Sequence, residues 1–405
     1  MVTDPSAATL DALARLVEFP TVSRNSNLGL IEWVRDRLDA HGITCRLTYD
    51  TAKRKANLFA TLGEGSCEGG VVLSGHTDVV PVDGQDWSTD PFRAKIADGR
   101  VYGRGAADMK GFIAAVLAAV PSMLNRQGAP PIHLALSYDE EVGCLGVRGL
   151  LQDLQSADVR PKRCIIGEPT GMLPVIGHKG ANAYHCSVRG LAAHSSLAPR
   201  AVNAIGYATR LITRLQEIAE NLRSRERTHP GYDIPHTSLN VGYIAGGAAC
   251  NVVPDRCEFK FDLRNLPWTS PDSIIEELES FAATVLLPEM RAMAAQSSIE
   301  IQCMARVPPF EIDADAPLPR WLAGLLETEL APTRVGFGTE GGLFQAAGIP
   351  AVVCGPGSIE QAHKPDEYVS LEQLGACERF LQRLMSEDGG LGGQDRARGG
   401  GGASR

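Results

Sequence analysis

The sequence predicts an α/β fold: one unit with a mixed, mostly parallel sheet between helices, and a second, α+β unit inserted into it. Two observations carry this. Short apolar runs bounded by Gly, Pro or polar residues, as buried strands are, alternate with segments of helical periodicity. Near Gly180 the pattern switches to alternating residues and amphipathic helices, and buried-strand character returns only at Ala351 to Cys354. A chain of 405 residues is also long for a single compact unit at ~150 residues per domain.

The elements follow in order. Leu10, Leu13, Leu16 and Val17 recur at helical spacing after Pro5-Ser6, and Leu28, Ile31, Val34 and Leu38 mark a second helix ending before Gly42. Strands are predicted at Asn57 to Leu62, Val71 to Leu73, Ile132 to Leu136 and Cys164 to Ile166. Gly111 to Val120 is Ala-rich and apolar on all sides, the signature of a helix packed deep against a sheet. In the inserted unit the order is strand (Ala181 to Gly190), helix (Ala201 to Leu222), strands (Thr237 to Tyr243 and Cys257 to Leu263), helix (Ser270 to Leu287) and strand (Ile299 to Ala305). Residues 387–405 are Gly-dominated without periodicity, which predicts a disordered tail.

Composition narrows the function. With 44% hydrophobic and 21% charged residues the chain can bury a core, and a net charge of −9 leaves no basic field for a phosphate backbone, so no nucleic-acid partner is expected. Met1 to Thr9 do not lead from a basic stretch into an apolar core, and no uncharged apolar run reaches ~18 residues. A soluble cytoplasmic protein without membrane association is the expectation. Ten cysteines are scattered from Cys45 to Cys377 without a C-x-x-C pair, which fits reduced thiols.

Ionisable residues fall where strands end. The run Gly70 to Gly75 leads into His76-Thr77-Asp78, Ile132 to Ser137 into Asp139-Glu140-Glu141, and Cys164 to Ile166 into Gly167-Glu168. In open α/β sheets the carboxyl ends of strands frame the ligand crevice. Asp108 precedes the Ala-rich helix, at the positive end of its dipole, and the run Ala351 to Cys354 leads through Gly355-Pro356-Gly357 to His363. Converging carboxylates and imidazoles cost several kcal/mol each unless compensated, so divalent cations are expected. Oxygen and nitrogen donors without thiolate suit Zn²⁺, Co²⁺ or Mn²⁺. Five ligands for two ions require sharing, and Asp108 is the natural bridge.

Four segments also resemble the dinuclear metallo-aminoacylase and carboxypeptidase family called M20: Ser74 to Pro81, Gly103 to Gly111, Asp139 to Glu141, and Gly167 to Thr170. The resemblance implies that His76 and Glu168 hold one metal, that Glu141 and His363 hold the other, and that Asp108 bridges them. It casts Glu140 as general base and Asp78 as the carboxylate that orients His76. In extended backbone Glu140 and Glu141 would point to opposite sides, leaving one to ligate and its neighbour to reach the water. Two Zn²⁺ ions are expected, with Co²⁺ able to substitute.

On the same resemblance the chain divides into a catalytic domain (1–179 and 307–386), a lid/dimerisation domain (180–306) and the tail (387–405). Gly190 to Ser196 matches the lid, whose His194 would reach across a homodimer to stabilise the oxyanion. Asn251 to Asp255 and Phe261 to Arg264 match as well, with Asn251 a substrate contact and Arg264 the fork for a substrate α-carboxylate. Gly336 to Phe344 and Gly355 to Glu367 are most similar to the acetylornithine deacetylase group, which implies an N-acyl amino acid as substrate. Within that reading Glu340 is expected to meet a substrate ammonium. Succinyl-diaminopimelate desuccinylases, other peptidases or aminoacylases, and an inactive metal-binding homologue are the alternatives. His133 and His185 are expected to pack or lie at the surface, His178 and Lys179 to sit in a solvated turn, and Asp139 to brace its loop.

Overall fold

The structure is a computed structural model and describes residues 4–63, 69–126, 128–327 and 333–386. The expected disordered tail, 387–405, lies outside the described residues. Two compact units are present, one formed by Met1–Gly177, Glu311–Thr333 and Thr339–Arg405, the other by His178–Phe310 and Arg334–Gly338. The short segment Arg334–Gly338 thus groups with the inserted unit, whereas the sequence reading keeps it in the first.

The first unit is built on a mixed sheet. Its order runs Cys45–Tyr49, Ala56–Leu62, Ile132–Ser137, Val71–His76, Arg163–Ile166, Ala351–Val353, Val175–His178 and Phe310–Glu311. The central four strands, from Ile132–Ser137 to Ala351–Val353, are mutually parallel, and antiparallel strands flank them. Ile132–Ser137 and Val71–His76 are buried at every position, as strands covered on both faces must be. The helix Gly111–Leu124 packs on this sheet and against the helices Ala7–Val17 and Leu371–Ser386. By length and composition Ala106–Leu124 could cross a bilayer, yet 72% of that window is buried in the protein, as in a core helix. Ser6 caps the first helix by accepting from the Thr9 N–H.

The second unit follows the expected strand-helix-strand-strand-helix-strand order. Its antiparallel sheet runs Ser238–Gly246, Arg256–Arg264, Ala181–Arg189, Ser298–Val307. One face carries the helices Ala204–Arg225 and Pro271–Phe281 over a core that includes Tyr184, Phe259, Phe261, Leu211 and Leu278. His178 and Lys179 correct an expectation: both are buried rather than solvated. His178 ends a strand and faces the Phe310 ring at 5.5 Å, and the Lys179 ammonium donates to the His236 carbonyl, which compensates its burial. His133 is buried against Phe59, and His185 is 3.2 Å from Glu258.

Candidate metal centre

Parallel strands that end side by side bring distant residues together, and the four central strands do so here. His76 is the last residue of its strand and is buried. Its Nδ1 lies 2.9 Å from the main-chain carbonyl of Asp78, whereas the Asp78 carboxylate is 3.7 Å away. The expected orienting contact is therefore made by the Asp78 backbone. A carbonyl only accepts, so Nδ1 carries a proton, and Nε2 is the nitrogen turned to the crevice that would ligate once it has lost its own. The Asp78 carboxylate instead accepts from the N–H groups of Glu140 (3.1 Å) and Glu141 (3.3 Å) and from the Ser23 hydroxyl (2.7 Å). It fixes the loop that carries both glutamates.

That loop is a turn, not the extended backbone expected. Asp139 has φ +56°, and the N–H groups of Gly143 and Cys144 fold back onto the Glu140 carbonyl. The two glutamates diverge because the chain turns between them, with the Glu141 carboxylate 3.0 Å from His363 Nε2 and that of Glu140 accepting from the Cys144 thiol at 3.3 Å. Lys55 pairs with Asp139 and bonds the Ser23 carbonyl, bracing the turn. Asp108 departs from expectation as well. It lies three residues before the helix, in non-helical backbone (φ −119°, ψ 90°), so the helix dipole is not what holds it. Glu367 does that: its carboxylate accepts from the N–H groups of Gly105, Ala107 and Asp108 and from Arg104.

Two triads result, His76-Asp108-Glu168 and Asp108-Glu141-His363, each with ligand atoms within 4.8 Å of one another. Asp108 belongs to both. One of its oxygens is 3.0 Å from His76 Nε2 and the other 3.3 Å from His363 Nε2. Glu168 reaches to 3.7 Å from His76 Nε2. It follows Gly167, where a Cβ would stand 2.0 Å from the Phe112 ring, so only glycine lets this strand end approach the core helix.

Electrostatics shows what the residues lack. Asp78, Asp108, Glu140, Glu141, Glu168 and Glu340 crowd against two imidazoles, while the basic side chains of the region are engaged elsewhere, Lys55 with Asp139, Arg104 with Glu367 and Lys110 with the Phe19 carbonyl. Desolvation pushes the carboxyls of Glu140 and Glu168 well up, and with the Asp108 charge lifts Glu141 to about 7. Burial would lower His76, but its bond to Asp108 and the charges of Glu168, Asp108 and Glu140 hold it well above the usual imidazole range. Bonds to Asp108 and Glu141 raise His363 to about 10. Desolvation acts to raise Asp108, yet the two imidazoles that bond it win and hold it low. Without bound cations, protons hold this cluster together. Carboxylate and imidazole donors in two groups that share one bidentate carboxylate fit two divalent ions of Zn²⁺ type.

Glu340 corrects another expectation. It is 1% exposed, and its two oxygens are taken by the hydroxyls of Ser137 and Ser74, with burial raising its carboxyl to about 7. It ties two strand ends together and does not face a ligand's ammonium. His194, Asn251 and Arg264 lie in the second unit. His194 is exposed on a two-residue strand paired with Val252–Val253, its Nδ1 2.8 Å from the Ser196 hydroxyl, and the Ser195 N–H bonds the Asn251 carbonyl at 2.9 Å. Arg264 ends the strand Arg256–Arg264 and is bound through Nε to Asp262 at 2.7 Å. His194 pairs with the segment that precedes the Arg256 end of that strand, whereas Arg264 closes its other end.

Sequence reasoning missed Glu367, Arg104, Gln85 and Ser23. The signal for the first was present: an acid four positions after His363 in a segment otherwise read as a polar loop. Its partner Arg104 stands four positions before Asp108 and is as buried as Glu367, each side chain 1% exposed. Pairing a buried Arg with a buried Glu across 263 positions needs coordinates.

Residues 72–387 match the family described as Peptidase family M20/M25/M40. The chain is 36% identical over 389 residues to an acetylornithine deacetylase of Myxococcus xanthus, covering 95% of this chain and 98% of that one. In fold it is similar to an M20 family metallo-carboxypeptidase of Sulfolobus solfataricus (TM-score 0.74, 18% identity, 94% and 99% of the two chains). It is similar, too, to a dinuclear metal binding peptidase of Bacillus subtilis (TM-score 0.63, 16% identity, 93% and 96%). With its family match over residues 72–387 and its two triads sharing Asp108, this chain belongs to the M20 family of metal-dependent amide-bond hydrolases.

Proposed function

We propose that this protein is a deacetylase that converts N2-acetyl-L-ornithine and water to L-ornithine and acetate at a centre of two divalent ions, Zn²⁺ with Co²⁺ able to substitute. The observation that carries the reading is the pair of triads sharing Asp108 in a chain 36% identical, nearly end to end, to an acetylornithine deacetylase.

Bound ions of this kind polarise a carbonyl and lower the pKa of water from 15.7 toward ~7. The chain's own residues do the rest. Glu140, outside both triads yet beside them, takes the proton of the water whose oxygen attacks the acetyl carbonyl. It then passes that proton to the amine nitrogen as the C–N bond breaks. Arg264 pairs its fork with the substrate α-carboxylate. His194 donates to the oxyanion, with Asn251 beside it. Arg264 closes one end of the strand Arg256–Arg264 and His194 pairs with the segment that precedes its other end, an arrangement in keeping with a homodimer in which the two serve one substrate from different copies. The cysteines among the described residues are all free, which fits a reducing, cytoplasmic location.

The test is release of free amine from N2-acetyl-L-ornithine, N-acetyl-L-methionine and N-succinyl-L,L-diaminopimelate, each with Zn²⁺ or Co²⁺. Acetylornithine is expected to lead in kcat/KM by at least about tenfold, worth about 1.4 kcal/mol. Preference for either competitor contradicts the substrate assignment. Hydrolysis of none contradicts the enzyme.

A further inference from the structure

His363 differs from the other ligands. It is the one left half exposed, at 52%, and it sits in left-handed backbone (φ +63°), which a non-glycine residue adopts at a cost. Something must hold its loop. Gln85 does so through its side-chain amide, which donates from Nε2 to the His363 carbonyl at 2.9 Å. Its Oε1 accepts from Trp87 Nε1 at 3.0 Å and from Arg104 at 2.6 Å. Two donors on one side and a carbonyl on the other fix which way the amide points. Three residues on, the N–H and hydroxyl of Ser88 both donate to the Asp366 carboxylate, at 3.0 and 2.9 Å.

We propose that Gln85 is a positioning residue for His363, and that the segment 85–88 sets how tightly the Asp108-Glu141-His363 triad holds its ion. The connection closes on the shared ligand. Gln85 bonds Arg104, Arg104 bonds Glu367 at 2.6 Å, and Glu367 accepts the Asp108 N–H at 3.0 Å. One unbroken chain of hydrogen bonds therefore runs from the His363 backbone to the Asp108 backbone, outside both triads. The His76-Asp108-Glu168 triad meets this chain only at the Asp108 N–H, where Glu367 is also held by the Gly105 and Ala107 N–H groups, and its own His76 ends a fully buried strand, so Gln85 acts chiefly on the His363 side. Outer partners of metal ligands govern affinity because they fix ligand orientation. The inference rests on the two-ion reading of the centre.

Gln85→Glu and Gln85→Leu test it. Gln85→Glu keeps an acceptor for Arg104 and Trp87 but sets an oxygen against the His363 carbonyl, and Gln85→Leu removes both arms. In competition between the protein and a chelator for Zn²⁺, both variants are expected to hold one ion as the parent does and the other about 10- to 100-fold more weakly. The Co²⁺ absorption of that second equivalent should change, while the metal-free proteins unfold at the parent's temperature. At saturating metal kcat should recover with KM unchanged. Parental affinity for both ions in both variants overturns the role of Gln85 alone. So does equal weakening of both ions with a lowered unfolding temperature, which is a general structural effect. A parent that binds fewer than two ions overturns the two-ion reading itself.

Discussion

Glu140→Gln is expected to lower kcat by about 10²- to 10⁴-fold while leaving two ions bound, because general base catalysis contributes about that much. At about 1.4 kcal/mol per decade this corresponds to about 3 to 5 kcal/mol of transition-state stabilisation. The substitution is isosteric, so the geometry survives. The backbone N–H of residue 140 still bonds Asp78, and the Cys144 thiol keeps an oxygen to approach. What disappears is a carboxylate able to take a proton. Burial and the neighbouring acids push the Glu140 carboxyl up, the direction that makes a carboxylate a better base. Kinetics and metal analysis of the same preparation settle it. Loss of an ion would mean that Glu140 and Glu141 have exchanged roles, and unchanged kcat would place the base elsewhere.

Asp108→Ala is expected to weaken both ions together, each by at least about 100-fold, beyond the loss typical of an outer partner. Each triad would fall from three protein donors to two. Glu168→Ala is the contrast, since Glu168 serves only the His76 side and one ion should remain at parental affinity. Equilibrium metal competition separates the cases. If Asp108→Ala keeps one ion as tightly as the parent, the carboxylate is not shared and the two triads are not one centre.

The strands that lead into His76, Glu141 and Glu168 were legible because buried strands announce themselves as short apolar runs, and a parallel sheet places their ends side by side. Less legible were elements whose signal is weak or interrupted. The edge strand Cys45–Tyr49 is half polar, with no residue buried, and the helix Leu371–Ser386 carries charges between its apolar positions. Side-chain partners were hardest. Asp78 and Glu340 are acids of the right type in the right segments, yet one spends its carboxylate on backbone N–H groups and the other on two hydroxyls. Residue type does not reveal whether a carboxylate faces a ligand or its own fold. The turn at Asp139 shows the same limit: adjacent glutamates can diverge in extended or in turned backbone, and the positive φ at Asp139 with the Gly143 and Cys144 N–H bonds to the Glu140 carbonyl marks the turn.

The central claim is that two ions replace the protons that otherwise hold six acids and two imidazoles together. His76 and His363, raised in the metal-free protein, must lose their protons to ligate, so affinity should fall as pH falls below those raised values. The direct measurement is titration of metal-free protein with Zn²⁺ near pH 7, counting ions bound and protons released per chain. Two ions bound with release of protons is the predicted result. A single ion or none, or two bound without proton release, would contradict it.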